Sequence, residues 1–242
     1  MPRCGVFYGQ TNGAAVQNNP HTTLITSIAP VATDTHGGRA KCLQRLVRLD
    51  LPVPRTVALS FEAVQKIAGG ELPDITAILA QFDPSDILCV RPSSEDPDWG
   101  GPGAILNIGM NADRQAELAD ILGPGAAAAL YLRFVQAYSI HVARLDPDMF
   151  EHVEPNSPNA LDEALRAYED ETEEPFPTEI GVQLAGVLRS MARAWDGTSA
   201  RLLRQARGAP LDAGLGLVIQ KMIPGVGHGE CGSGVLQLVN SV

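Results

Sequence analysis

Apolar residues recur with a helical period in some stretches of this chain and form short, β-like runs in others. Leu43, Leu46, Val47 and Leu49 are helically spaced and follow the run Thr-Asp-Thr-His-Gly-Gly-Arg at 33–39, which predicts a glycine turn opening a helix. Leu51-Pro-Val-Pro ends that helix, because proline lacks an amide and disfavours helical geometry before it. The pattern then predicts a strand at 56–59, helices at 61–68 and 75–82, and a strand at 86–91 that ends on Arg91. A polar segment rich in Pro, Gly, Ser and acid covers 92–103, and a strand-like run follows at 104–108. Strand, loop and strand together predict a hairpin-like flap.

Residues 112–143 read as helical, with Leu130, Phe134, Ala137, Tyr138 and Val142 on one broad face. An acidic, proline-bounded connector at 151–177 holds a helix at 160–168, and 179–207 reads as one or two helices interrupted near Gly197. Strand character returns at 215–222, before a glycine-rich run at 225–234 and a further strand at 235–239. At the front, a polar stretch from 9 to 23 precedes a short strand at 24–31. The expected class is α+β, mixed, with a helical insert between β-containing parts. The expected segments are a polar leader with a short strand (1–35), a first β-containing unit (36–111), the mainly helical insert (112–178), and a return to the first unit with the start of a second, truncated unit (179–242).

Composition narrows the function classes. The chain has 242 residues, is 45% hydrophobic and contains no apolar run near the roughly 20 residues a membrane helix needs. Its first ten residues lack the apolar core of a signal peptide, so a cytoplasmic protein is expected. A net charge of -10 argues against nucleic acid, whose phosphates call for clustered Lys and Arg. A small anion is still admissible, since local donors can outweigh global charge. Cys4, Cys42, Cys89 and Cys231 are too far apart for a CxxC pair and are expected as reduced thiols. The five histidines form no HxxxH or HxH pair, and no GxSxG nucleophile motif occurs.

Three constellations are chemically suggestive. Gly37-Gly38-Arg39 at a helix start suits an anion, through free amides, the helix dipole and the close approach that glycine allows. Its alternative is a plain tight turn with a solvent-facing arginine. Arg91, at the mouth of a glycine-containing loop, is placed to make paired bonds to phosphate oxygens. Its alternative is a salt bridge to Glu95, Asp96 or Asp98. Gln220-Lys221-Met222 runs into a turn at Pro224-Gly225, where backbone groups and a flexible methionine could meet an adenine edge; the alternative is a buried strand.

These motifs fall in an order that resembles one family. His36-Gly-Gly-Arg-Ala-Lys-Cys-Leu with the later Leu-Asp-Leu-Pro-Val-Pro resembles the GGKGANL…LGLPVPPGF opening of pyruvate phosphate dikinases. Val90-Arg91 through Gly100 to Leu106-Asn-Ile-Gly-Met-Asn111 is similar to the family's VRSGA…PG…DTVLNLGLND, with no gap between Arg91 and Asn107. Tyr131-Leu-Arg-Phe-Val-Gln-Ala-Tyr138 resembles YRRFIQMY, and Leu217-Val-Ile-Gln-Lys-Met and Gly232-Ser-Gly-Val resemble VNVQAMV and the strand after it. Ser93-Ser-Glu-Asp96 also resembles the RSSATAED loop of phosphoenolpyruvate synthases and antibiotic phosphotransferases.

The resemblance implies an ATP-grasp fold that binds ATP with Mg2+ and passes the β-phosphoryl group to a histidine on a separate domain. A further domain would couple phosphohistidine to pyruvate and phosphoenolpyruvate. By position it implies that Arg39 and Arg91 grip the phosphates and offset charge as the phosphoryl group leaves. Gly37, Gly38, Gly100 and Gly103 would line the phosphate loops, and Gln220 and Met222 the adenine. Several positions depart from the family. Arg39 replaces a lysine, Gly103-Ala104 replaces Asp-Thr, and Glu95 stands where the family has a second arginine. The residues after Val235 do not follow the family into its acidic magnesium ligands, so the chain is expected to lack them. Two outcomes are expected from this pattern: a nucleotide-binding part inactive in phosphoryl transfer by itself, or a non-catalytic module that binds a protein partner.

Overall fold

A computed structural model describes residues 21–155, 157–223 and 225. Among these residues the chain forms a five-stranded antiparallel sheet and eight α-helices, a mixed α/β architecture as the sequence predicts. The strands are β1 (Thr22–Leu24), β2 (Thr56–Leu59), β3 (Leu88–Ser94), β4 (Ile105–Ile108) and β5 (Leu215–Lys221). The helices are α1 (Thr33–Arg48), α2 (Phe61–Ala68), α3 (Ile75–Leu79), α4 (Ala112–Leu122), α5 (Pro124–His141), α6 (Ala160–Thr172), α7 (Ile180–Asp196) and α8 (Thr198–Ala206).

The sheet order is β1-β2-β5-β3-β4, so the last described strand fills the centre, paired with β2 on one side and β3 on the other. Period-two alternation divides its side chains between two cores. Val57, Leu59, Leu88, Val90, Leu217 and Ile219 belong to the larger core, with residues of α2, α5 and α7. Ala58 and Val218 belong to the smaller, which α1 and the 25–31 segment cover through Ala40, Leu43, Val47, Ile25 and Val31. Within the larger core, Tyr131, Phe134, Tyr138, Tyr168 and Phe176 pack mostly edge to face.

Several predicted boundaries move for local reasons. The strand expected at 24–31 is instead β1, and its continuation is a loop whose Ala29 carbonyl accepts from the buried Gln44 amide. The expected 112–143 helix is two, because Gly123 at φ 87° breaks it and Pro124 starts the next. Helix α3 is shorter than the expected 75–82, and α6 is longer than 160–168. Strand β3 continues past Arg91 to Ser94. Proline is tolerated there because β4 pairs only near Leu88 and Val90, leaving Arg91 to Ser94 bonded to β5 alone. The predicted strand at 235–239, Cys4, Cys231 and the glycine run from 226 to 234 lie outside the described residues.

Buried Gln183 fastens the exit of β4 to α7. Its Oε1 accepts from the Gly109 amide at 2.7 Å, and its Nε2 donates to Met110 O at 3.0 Å and Pro177 O at 2.7 Å. Gln183→Leu keeps the volume but strands two buried backbone groups and a third that is part-buried, so it is expected to cost about 3 to 5 kcal/mol. Urea denaturation measures this, and a wild-type midpoint would refute the clamp.

No helix among the described residues is long and apolar enough to cross a membrane.

Candidate functional site

The first turn of α1, Thr33 to His36, is interrupted at Gly37, whose φ of 85° and ψ of 167° are non-helical, and the helix resumes at Gly38. This break rests directly on the sheet. A Cβ on Gly37 would lie 1.8 Å from the Ser93 carbonyl oxygen, and one on Gly216 of β5 would lie 2.5 Å from His36 O. Both glycines therefore serve the contact between helix and strand. Ser93, which is buried, bolts the contact: its Oγ donates to His36 O at 2.7 Å and accepts from the Ala40 amide at 3.0 Å.

That bolt fixes where the next side chain goes. Arg39 is half-buried, and its Nε donates to Pro92 O at 2.8 Å. Arg91 projects from β3 on the face that α1 covers, close enough to lower the Arg39 pKa; burial of Arg39 contributes more to that lowering. Beneath them is the thiol of Cys89, pushed up by burial and partly offset by both arginines, hence a poor nucleophile. No carboxylate among the described residues pairs with Arg39 or Arg91. The ion pairs found there join Glu62 to His21 and Lys66, Arg114 to Glu117, and Lys221 to Asp86. The salt bridge to Glu95, Asp96 or Asp98 that was the simplest alternative for Arg91 does not form. Asp96 instead accepts from the Asp98 amide at 2.8 Å, capping the turn at Pro97–Trp99.

The two guanidinium groups open into a groove of about 620 Å³ walled by Gly38, Ser94, Gly100 and Pro102. This is the size of ordinary small-molecule sites, roughly 300–1,000 Å³. It gathers Gly38, Arg39, Arg91 and Gly100 of the residues singled out in the sequence. Gly37 is buried against Ser93. Gly103 lines a separate small cavity of about 90 Å³ beside His141 and Met191.

Gln220 and Met222 are also elsewhere. Gln220 is buried, and its Nε2 donates to Thr56 Oγ1 at 2.8 Å. The amides of Lys221 and Met222 already bond Arg55 O and Ile87 O, and Met222 Sδ accepts from the Asn107 amide. Met222 borders a different cavity of about 490 Å³ with Leu118, Leu130 and Ile223. The backbone of this strand end is thus occupied by its neighbours, which favours the buried-strand alternative for Gln220.

Two residues that motif reading passes over matter here. Ser93 looks like loop polarity in the sequence, and only the β3 register reveals it as the bolt under α1. Arg207, just past α8, lies against Gly100: a Cβ on that glycine would sit 2.6 Å from its Nη1. No local sequence signal marks it.

His36, at the helix break, is buried with Nε2 lacking a hydrogen-bond partner among the described residues, while Nδ1 lies 2.9 Å from Thr35 Oγ1. Burial lowers its pKa below the ordinary 6.5, with Asp34 partly opposing. Between the folded and unfolded values the unfolded chain binds more protons, so stability is fully present above about pH 6.5 and is lost as pH falls through the folded value. Thermal midpoints from pH 8 to 5 should fall for the wild type and fall less for His36→Gln. Equal slopes would refute the assignment.

Comparison with family models finds none that matches, and comparison with curated proteins returns no significant match.

Proposed function

We propose that the groove binds the phosphate chain of ATP, and that the chain is the nucleotide-binding part of a phosphotransferase of the pyruvate phosphate dikinase type. One observation carries the reading: Arg39 and Arg91 converge on a groove with no carboxylate partner among the described residues. Two half-buried cations held together repel, and an anion bound between them relieves that repulsion while receiving charge-assisted hydrogen bonds. The family-like order of the motifs around these two residues supplies the identity of the anion. The sheet, with its helices on both faces and a strand returning to its centre after a helical stretch, suits one subdomain of an ATP-grasp fold.

The phosphate side bears the weight of this reading. Gln220 and Met222 are engaged within the protein, so adenine recognition is not assigned to them. Among the described residues no group of three or more His, Cys, Asp or Glu side chains is arranged to hold a metal ion. Mg2+ therefore enters only as the ion that accompanies ATP, and no protein ligand is assigned to it. The step that the reading assigns to these residues is ATP binding, and transfer to a histidine would additionally require a phosphoryl acceptor. Calorimetric titration at low ionic strength with ATP and inorganic tripolyphosphate tests the reading. Saturable binding of both supports it, and no binding of either at millimolar concentration overturns it.

A further inference from the structure

We infer that Arg207, which the end of α8 carries against the wall residue Gly100 without itself lining the groove, is a third anion-binding cation for a ligand that extends past Gly100, and that it favours ligands bearing several phosphates over those bearing one. The inference rests on the phosphate-binding reading of Arg39 and Arg91.

Gly100 belongs to the groove wall and adopts φ 82°. The position of its missing Cβ is 2.6 Å from Arg207 Nη1, so any larger residue would push that guanidinium off the loop. A guanidinium thus occupies the side of Gly100 that glycine leaves open. Arg207 is exposed, has no carboxylate partner among the described residues, and donates only to Asp98 O at a long 3.4 Å. Its bonding capacity is largely unspent, since five N–H donors are available on one guanidinium.

Its position is built into the fold. Arg204, one turn earlier on α8, is buried, stacks 3.7 Å from the Trp195 ring centroid and donates to Trp195 O at 2.6 Å. Trp195 is held by its own Nε1 bond to Ala213 O at 3.1 Å, and its ring would lie 3.4 Å from a Cβ on Gly101. One tryptophan therefore seats both α8 and the loop, which fixes Arg207 relative to Gly100. The acids of the loop set the selectivity. Glu95 and Asp98 are exposed there and oppose any anion, so a third cation matters most for a ligand long enough to reach Gly100 from the Arg39–Arg91 pair. A single phosphate between the pair needs no help from Arg207.

Calorimetry of the full chain with AMP, ATP and inorganic tripolyphosphate separates the possibilities. Arg207→Ala is expected to lose roughly tenfold in affinity for ATP and tripolyphosphate while AMP changes less than about twofold, and Arg207→Lys is expected to regain most of the loss because it keeps the charge. Equal weakening of all three ligands would make Arg207 a loop latch and overturn the inference, as would no change in any. In both cases wild-type binding would leave the Arg39–Arg91 reading standing. Failure of the wild type to bind any of the three would overturn both.

Discussion

Replacing Gly37 with alanine is expected to destabilise the protein by about 4 kcal/mol or more, the largest effect on stability of any single methyl addition near the site. Two costs add. At φ 85° and ψ 167° the backbone lies in a region that only glycine occupies comfortably, and the new Cβ would lie 1.8 Å from Ser93 O, 2.3 Å from Ser93 C and 2.6 Å from Ser93 Oγ. The atoms it meets include strand backbone, which cannot rotate away as a side chain tip can. The helix break must lift from the sheet, breaking the Ser93 bonds to His36 O and Ala40 N and moving Arg39 with it. Gly38→Ala supplies the control, because its Cβ would meet Glu95 O at 3.0 Å without a positive φ and is expected to cost far less. Thermal and urea midpoints of the two variants test the order. At roughly 2–4 °C per kcal/mol for a chain of this size, Gly37→Ala should melt about 10 °C lower. A wild-type midpoint would show that α1 does not rest on β3 as described.

That same glycine marks how far the sequence could be read. A glycine turn before a helix was legible from Gly37-Gly38 and the spacing of Leu43 and Val47, as were β2 and α2, expected at 56–59 and 61–68 after the proline-bounded end of α1. What the turn is for was not. In sequence, a glycine that admits a phosphate and one that admits a strand backbone look alike, and Gly37 proved to be the second kind. Long-range register was also hidden. That 215–221 would lie between β2 and β3 depends on which edges the hydrophobic faces leave available, and no local pattern records it. Gln220 illustrates the consequence: at a strand end its groups would be free, but between two partners they are spent. The convergence of Arg39 and Arg91 lay between these extremes. Each was visible as a cation beside a glycine turn, whereas their proximity follows from α1 packing on β3.

Arg91→Ala is expected to abolish most phosphate affinity while leaving the fold intact. Residues that hold a protein together and residues that hold a ligand differ in this respect. The Arg91 guanidinium donates to no acceptor and pairs with no carboxylate among the described residues, and its charge disfavours that of Arg39. Removing it therefore takes away no native bond and relieves one repulsion, so the thermal midpoint should stay level or rise slightly. The ligand loses a charge-assisted, bidentate partner worth about 2 kcal/mol, which is about thirtyfold in affinity for ATP or tripolyphosphate. Arg91→Lys should fall between, since an ammonium keeps the charge and loses the planar fork. The wild-type affinity should itself weaken with added salt, and the Ala variant's should weaken less steeply, because one screened contact is gone. Calorimetry paired with a melt decides the matter in one experiment. A variant that binds as the wild type does would remove Arg91 from the site, and one that binds weakly because it melts early would make the residue structural. Weak binding at an unchanged or raised midpoint is the combination that a ligand-directed pair of arginines demands.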